Sequence, residues 1–390
     1  MTGIYRLTGT VKHYDWGGFS FIPALLKTEN KEKKPFAEYW MGVHPLGISV
    51  LTLPGGETKK LTGYAGNLPY LFKVLDVKEM LSIQVHPSKT SAEKEFAREN
   101  NEGIPLDSPQ RSYKDDNHKP ELMAALGDFW LLHGFKPEKE LIQVLQQVKE
   151  LNELLPVFKQ SGYAGLYKHV MEMPQEEVDR ILQPLLDKII PAYKNGTADK
   201  SKEDFWAARA ALTFPNGIHI DRGIFSVYFF NLVHLKKGEG IFQDAGVPHA
   251  YLEGQNIELM ANSDNVLRGG LTTKYIDVKE LLKHVKCEPV IPAVLHRQQV
   301  ANHVFLYKTP VDDFQLNVLE LGQNETLQAT ANATEILLIT DGSVRIGNEN
   351  IDLEPGHPAA VILPGTSYSI TGVSDKSTVF KASAPMWQHK

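Results

Sequence analysis

The chain has 390 residues, 42% hydrophobic and 23% charged, with 41 Lys and Arg against 47 Asp and Glu and a net charge of −6. This length points to two or three domains, and the composition excludes disorder as the dominant state. The acidic balance argues against general nucleic-acid binding. The single Cys287 excludes an internal disulfide or a thiolate zinc site built on its own, and suggests a reducing compartment. With no signal-type run and no apolar stretch of roughly 18 to 20 residues, no membrane partner is expected and a soluble cytoplasmic protein is.

The first hundred or so residues read mainly as short strands and turns, with a turn at Pro54-Gly55-Gly56. From about Phe135 the apolar period becomes helical. Leu141, Val144, Leu145, Val148 and Leu151 form one stripe, and Val178, Ile181, Leu182, Leu185, Leu186 and Ile189 form another. Pro174, with Glu176 and Glu177 behind it, marks a helix start. Ser201-Lys-Glu-Asp204 resembles a capping box. A helical block of four or more helices is expected over residues 135–213. Strand character returns over Ser226–Leu235, and after Asn302 nearly everything reads as short strands of a sandwich or barrel. A degenerate repeat is also legible. The turn Gly246-Val-Pro-His249 has the shape of Gly365-Thr-Ser-Tyr368, with Tyr368 where His249 stood.

Nucleotide-binding loops and a nucleophile elbow are absent, and Cys287 reads as a small hydrophobe. Four polar stretches carry the candidate chemistry. In Ile83-Gln84-Val85-His86, alternation puts Gln84 and His86 on one strand face and Ile83 and Val85 on the other. Asn117-His118-Lys119-Pro120-Glu121 packs three ionisable groups into four residues, with Pro120 holding Lys119 extended. Gly246-Val-Pro-His249-Ala-Tyr251 delivers an imidazole from a stiffened turn. Each stretch alone matches ordinary surface patterns. Together, Gln84, His86, Glu121 and His249 make a nitrogen and oxygen ligand set that suits zinc, and also manganese, iron or cobalt. The fourth stretch, Glu258 to Lys274, sets Arg268 beside Gly269-Gly270, a suitable clamp for an anionic substrate such as a phosphate ester.

These stretches resemble the type I, zinc-dependent mannose-6-phosphate isomerases. The match rests on Ser82-Ile-Gln-Val-His-Pro87, Asn117-His-Lys-Pro-Glu121, Asp244-Ala-Gly-Val-Pro-His-Ala-Tyr251 and Ser263-Asp-Asn-Val-Leu-Arg-Gly-Gly-Leu-Thr-Thr-Lys274, with softer matches at Tyr14–Gly17 and Ala37–Pro45. The resemblance implies a mainly β fold: two cupin-type jelly-roll barrels plus a helical domain. The catalytic cupin would take residues 1–134 and 214–295, the helical insertion 135–213, and a metal-free cupin 296–390. It implies one Zn²⁺ per chain on Gln84, His86, Glu121 and His249. It places Lys73, Ser82, His118, Lys119, Tyr251, Glu258, Asp264, Arg268 and Lys274 in the pocket.

The implied reaction is aldose–ketose isomerisation of a sugar phosphate through a cis-enediol. Glu258, Lys119 and His118 are the candidate proton carriers, Glu258 and His118 being favoured. Lys119 and Arg268 are electrostatic partners, Asp264 orients Arg268 or assists ring opening, and Lys73, Ser82 and Lys274 bind phosphate. The competing readings are another cupin metalloenzyme, such as an oxygenase, and a binding protein that has lost turnover. The Gln ligand and the Arg/Lys loop argue against the first, and an assay separates the second. A monomer is expected rather than an obligate oligomer.

Overall fold

The computed structural model describes residues 3–66, 68–215, 217–347 and 351–385; the ends of the expected domain division fall outside these. The fold is mainly β, with nine α-helices among the described residues. Its strands form an eleven-stranded, a nine-stranded and a four-stranded sheet. No helix among the described residues is long and apolar enough to cross a membrane.

The eleven-stranded sheet is organised around the strand His249–Ala261, which is long enough to pair with four others. The nine-stranded sheet joins chain ends that sequence separates. Ile4–Thr8 lies between Ala359–Ile362 and Val50–Thr52, so the sheet crosses the boundary expected at residue 296. Apolar faces of both large sheets meet in one core containing Leu7, Tyr70, Phe72, Leu316 and Phe380. The Tyr70 hydroxyl reaches the carbonyls of Thr334 and Ala382 there, at 3.0 and 3.2 Å, which satisfies a polar tip inside an apolar contact.

The helical block is as its periodicity predicts. Four α-helices span Glu138–Gln147, Leu154–Glu172, Gln175–Lys194 and Glu203–Thr213. Pro174 stands immediately before the third, whose six-residue apolar stripe from Val178 to Ile189 is buried. Each such side chain contributes about 1.5–3 kcal/mol by leaving water. The block's core includes Ile83, Val85, Phe135, Tyr167, Trp206 and Phe230. Ile83 and Val85 are thus anchored in the helical core, and alternation turns Gln84 and His86 the other way. This packing is how the helices position the site.

Three local expectations need correction. Ser201 does not cap a helix; its hydroxyl bonds Asp199 at 2.8 Å, and Lys202 stands at the N-cap position. The run read as a strand from Ser226 begins as helix, Gly223–Phe229, and becomes strand only at Phe230–Leu235. All seven helical residues are buried, so the run lacks the polar face that marks a surface helix, and no partner strand is available before Phe230 meets Phe135. Lys89–Asn101 is a helix among the residues read as strands and turns, capped by Ser88. It hides from hydrophobic periodicity because its buried positions are Ala92, Glu95 and Glu99, two of them carboxylates. Glu95 is paired with Arg98 at 2.6 Å and Glu99 with Arg111 at 2.9 Å.

Candidate active site

Antiparallel pairing puts directly opposite residues on one face. Along the strand His249–Ala261, that rule sets His249 opposite Gln84, Glu258 opposite Lys73 and Met260 opposite Glu121. Leu267–Arg268 continues the pairing, with Arg268 opposite Gln84. Five separate segments therefore converge on one region.

His86, Glu121 and His249 are buried, with ligand atoms all within 4.8 Å of one another. His86 Nε2 is 3.4 Å from one Glu121 oxygen and His249 Nε2 is 3.4 Å from the other. Each Nδ1 faces a backbone carbonyl, His86 that of Asn265 at 2.9 Å and His249 that of Val247 at 3.1 Å. A carbonyl only accepts, so each Nδ1 carries a proton and each Nε2 turns toward the carboxylate. Burial, reinforced by Lys119, pushes the His86 pKa down to about 4, so the ring is neutral and its Nε2 is a lone pair. That Nε2 is fully enclosed without a hydrogen-bond partner. Burial pushes Glu121 up, but Lys119, 2.8 Å away, outweighs it and holds the carboxyl well below its usual range. A buried lone pair aimed at an ionised carboxylate is costly unless a cation lies between them. The donor set fits a zinc-type ion, and the Gln84 amide is beside it.

The adjoining cavity is lined by Glu38, Lys73, Gln84, Lys119, Tyr251 and Glu258, among others. Lys73 Nζ lies 3.0 Å from Glu258 and 3.9 Å from Glu38. Burial alone would lower the Lys73 pKa; the three nearby carboxylates, Glu258 first, more than reverse this. Burial raises the Glu258 pKa, with Lys73 opposing and Glu121 adding to the rise. The Tyr251 hydroxyl is buried without a partner, and its pKa is driven up by that burial.

Glu38 is the charged lining residue to which the sequence reading gave no role. Its carboxylate accepts from Trp40 Nε1. The available signal was an acidic residue in a strand, Glu38–Met41, whose four positions are all buried.

The remaining candidates, Ser82, His118, Asp264, Arg268 and Lys274, are not among the residues that line this cavity. Asp264 is 3.3 Å from His44 Nε2. The Leu46 N–H donates to His44 Nδ1, which leaves Nε2–H to donate to Asp264. His118 Nε2 is 3.0 Å from both oxygens of Asp313 and is not among the lining residues, nor is Ser82. Arg268 is half-buried and Lys274 exposed; neither makes an ion pair among the described residues. Burial lowers the pKa of each, and Arg268 lowers that of Lys274 further. The loop after Arg268 needs its glycines. Gly270 has φ +119°, and a Cβ there would sit 2.4 Å from the Gly223 Cα. Cys287 is partly buried and burial pushes its pKa up to about 11, consistent with an inert thiol.

A family model described as the phosphomannose isomerase type I catalytic domain matches residues 4–138. The mannose-6-phosphate isomerase of Shigella flexneri is 35% identical over 94% of this chain and 97% of its own. The chain belongs to the type I phosphomannose isomerase family. A solved variant of phosphomannose isomerase from Salmonella typhimurium superposes with a TM-score of 0.86 at 31% identity, over 98% of this chain and 100% of that one. A zinc-bound mannose 6-phosphate isomerase structure gives 0.81, also at 31% identity and with the same coverage. The shared architecture therefore includes the helical block and the C-terminal strands.

Proposed function

We propose that this protein interconverts D-mannose 6-phosphate and D-fructose 6-phosphate, supplying or consuming mannose units. The observation that carries this reading is the enclosed, unpartnered Nε2 of His86 beside Glu121 and His249, opening onto the Lys73–Glu258 cavity. Gln84, His86, Glu121 and His249 would hold one zinc ion, which when bound supplies Lewis-acid stabilisation of charge on the sugar oxygens. Glu258 removes the proton at C2 of the open-chain aldose and returns it to C1, while a proton passes from O2 to O1; the cis-enediol lies between. Lys73 holds the Glu258 carboxylate in place from 3.0 Å. Lys119 and Tyr251 face the developing oxygen charge. The His118–Asp313 pair supports a bracing role for His118, leaving Glu258 as the proton carrier of choice.

Arg268, Lys274 and Ser82 form the phosphate end, since the two cations have no acidic partner among the described residues and Arg268 pairs directly across from Gln84. Asp264, oriented by His44, assists ring opening at the mouth. Arg268→Ala is expected to raise KM about ten- to hundredfold, the scale of one charge-assisted hydrogen bond, and to weaken competitive inhibition by inorganic phosphate in parallel. An unchanged phosphate inhibition constant would remove Arg268 from that role.

The reading includes two cupin-type barrels, residues 1–134 with 214–295 and residues 296–390, and a helical insertion over 135–213. Gly246 and Gly365 support the repeat: φ is +80° and +79°, each three residues before His249 and Tyr368 respectively. A cytoplasmic monomer is part of the same reading, its reducing setting supported by the lone thiol.

The test is a coupled assay of both substrates, before and after a chelator. Turnover should vanish on chelation and return with zinc. A folded, zinc-loaded protein without turnover would leave a sugar-phosphate-binding protein instead.

A further inference from the structure

Asn265 is completely buried and lies between the long strand and Leu267–Arg268. Its carbonyl accepts from His86 Nδ1 at 2.9 Å. Its side chain reaches a different segment altogether. Oδ1 accepts from the N–H groups of Lys114 and Asp115, at 2.7 and 3.3 Å. Nδ2 faces the carbonyls of Asp115 and Asn117 at 2.8 and 2.9 Å, and an Asp115 carboxylate oxygen at 3.1 Å. Asp115 returns the grip: its carboxylate accepts from the Asp264 N–H at 2.7 Å and from the Ser263 hydroxyl at 2.8 Å. The segment so held runs directly into His118, Lys119 and Glu121.

We propose that Asn265 is a positioning residue that ties two candidate metal ligands from separate segments into one geometry. The argument rests on the metal-site reading above. Its backbone sets the tautomer and direction of the His86 ring, while its amide fixes the segment that delivers Glu121. Partners of this kind orient ligating imidazoles, and their loss weakens metal binding about ten- to hundredfold. An amide suits the position and few other groups do. It offers one acceptor to two N–H groups and two donors to three oxygens. Alanine loses all of these contacts, and aspartate would face the Asp115 and Asn117 oxygens with a like charge.

The experiment measures zinc affinity by chelator competition, together with melting temperature, for wild type, Asn265→Ala and Val379→Ala. Val379 is buried in the C-terminal core, remote from the site in its packing, and supplies the control for a general loss of stability. Asn265→Ala should weaken zinc about ten- to hundredfold while Val379→Ala, at comparable melting, keeps wild-type affinity. Excess zinc should restore much of the lost turnover, because every ligand is still present. Wild-type zinc affinity in folded Asn265→Ala overturns the proposal, as does an equal loss in the control. If Asn265→Ala does not fold, Asp115→Asn loosens the same clasp and decides in the same way. Failure of the wild type itself to bind zinc would overturn the metal-site reading, and this proposal with it.

Discussion

Replacing Glu121 with glutamine is expected to strip the metal and cut turnover by about three orders of magnitude. Glu121 is the single anion among the four candidate ligands, and each of its oxygens sits 3.4 Å from an imidazole Nε2. The amide would turn an N–H₂ toward one of those nitrogens and remove the charge that balances the cation. Lewis-acid stabilisation is worth several kcal/mol, and roughly 1.4 kcal/mol is a factor of ten in rate. Lys119 would also lose its buried partner at 2.8 Å; breaking a buried pair from one side costs about 3–5 kcal/mol, so the melting temperature should fall as well. Zinc per chain, turnover and melting are the three readouts. Full zinc occupancy with turnover within tenfold of wild type would show that Glu121 is not a ligand.

The second large effect is expected at Glu258. Glu258→Gln should lower kcat about 10²- to 10⁴-fold, the range for a positioned proton carrier, with zinc content unchanged. The two variants thus separate metal binding from proton transfer. Burial raises the Glu258 pKa against the pull of Lys73, and the ionised form is the active base. The acid limb of the wild-type rate profile should therefore lie above the ordinary carboxylate value of about 4.3, with the rate falling as pH drops through it. Exchange of the C2 proton with deuterated solvent should disappear in the variant. Retention of that exchange, with zinc in place, would pass the role to another lining group, Lys119 first.

How the cavity is closed around these groups was only partly legible in the sequence. Gln84 and His86 were, because strand alternation is local and Ile83 and Val85 mark the apolar side. The helical stripes from Leu141 to Ile189 were too, since a 3.6-residue period needs only near neighbours. The Lys73–Glu258 pair was not derivable that way. Its members are 185 residues apart, and only the pairing of Tyr70–Val77 with the long strand joins them. Glu38 entered through the same sheet, opposite Leu75. The sequence reading favours His118 over Lys119 as a proton carrier, yet Asp313 draws it to the C-terminal segment.

By itself, the sequence determined the ligand types, the helical block, the β-rich ends and, through four spaced motifs, the resemblance to a family. Those depend on residue identity, on periods of two and 3.6, and on turn chemistry, all of which act over a few positions. The tertiary structure alone decided which charges meet. Ile4–Thr8 joins the C-terminal sheet because its apolar face is covered there. Glu121 stays ionised because Lys119 lies beside it after burial. Asn265 clasps residues 114–117 because the loop that carries it folds back across 150 residues of chain. Register and burial are properties of the assembled sheets, and they set the field in which each side chain acts.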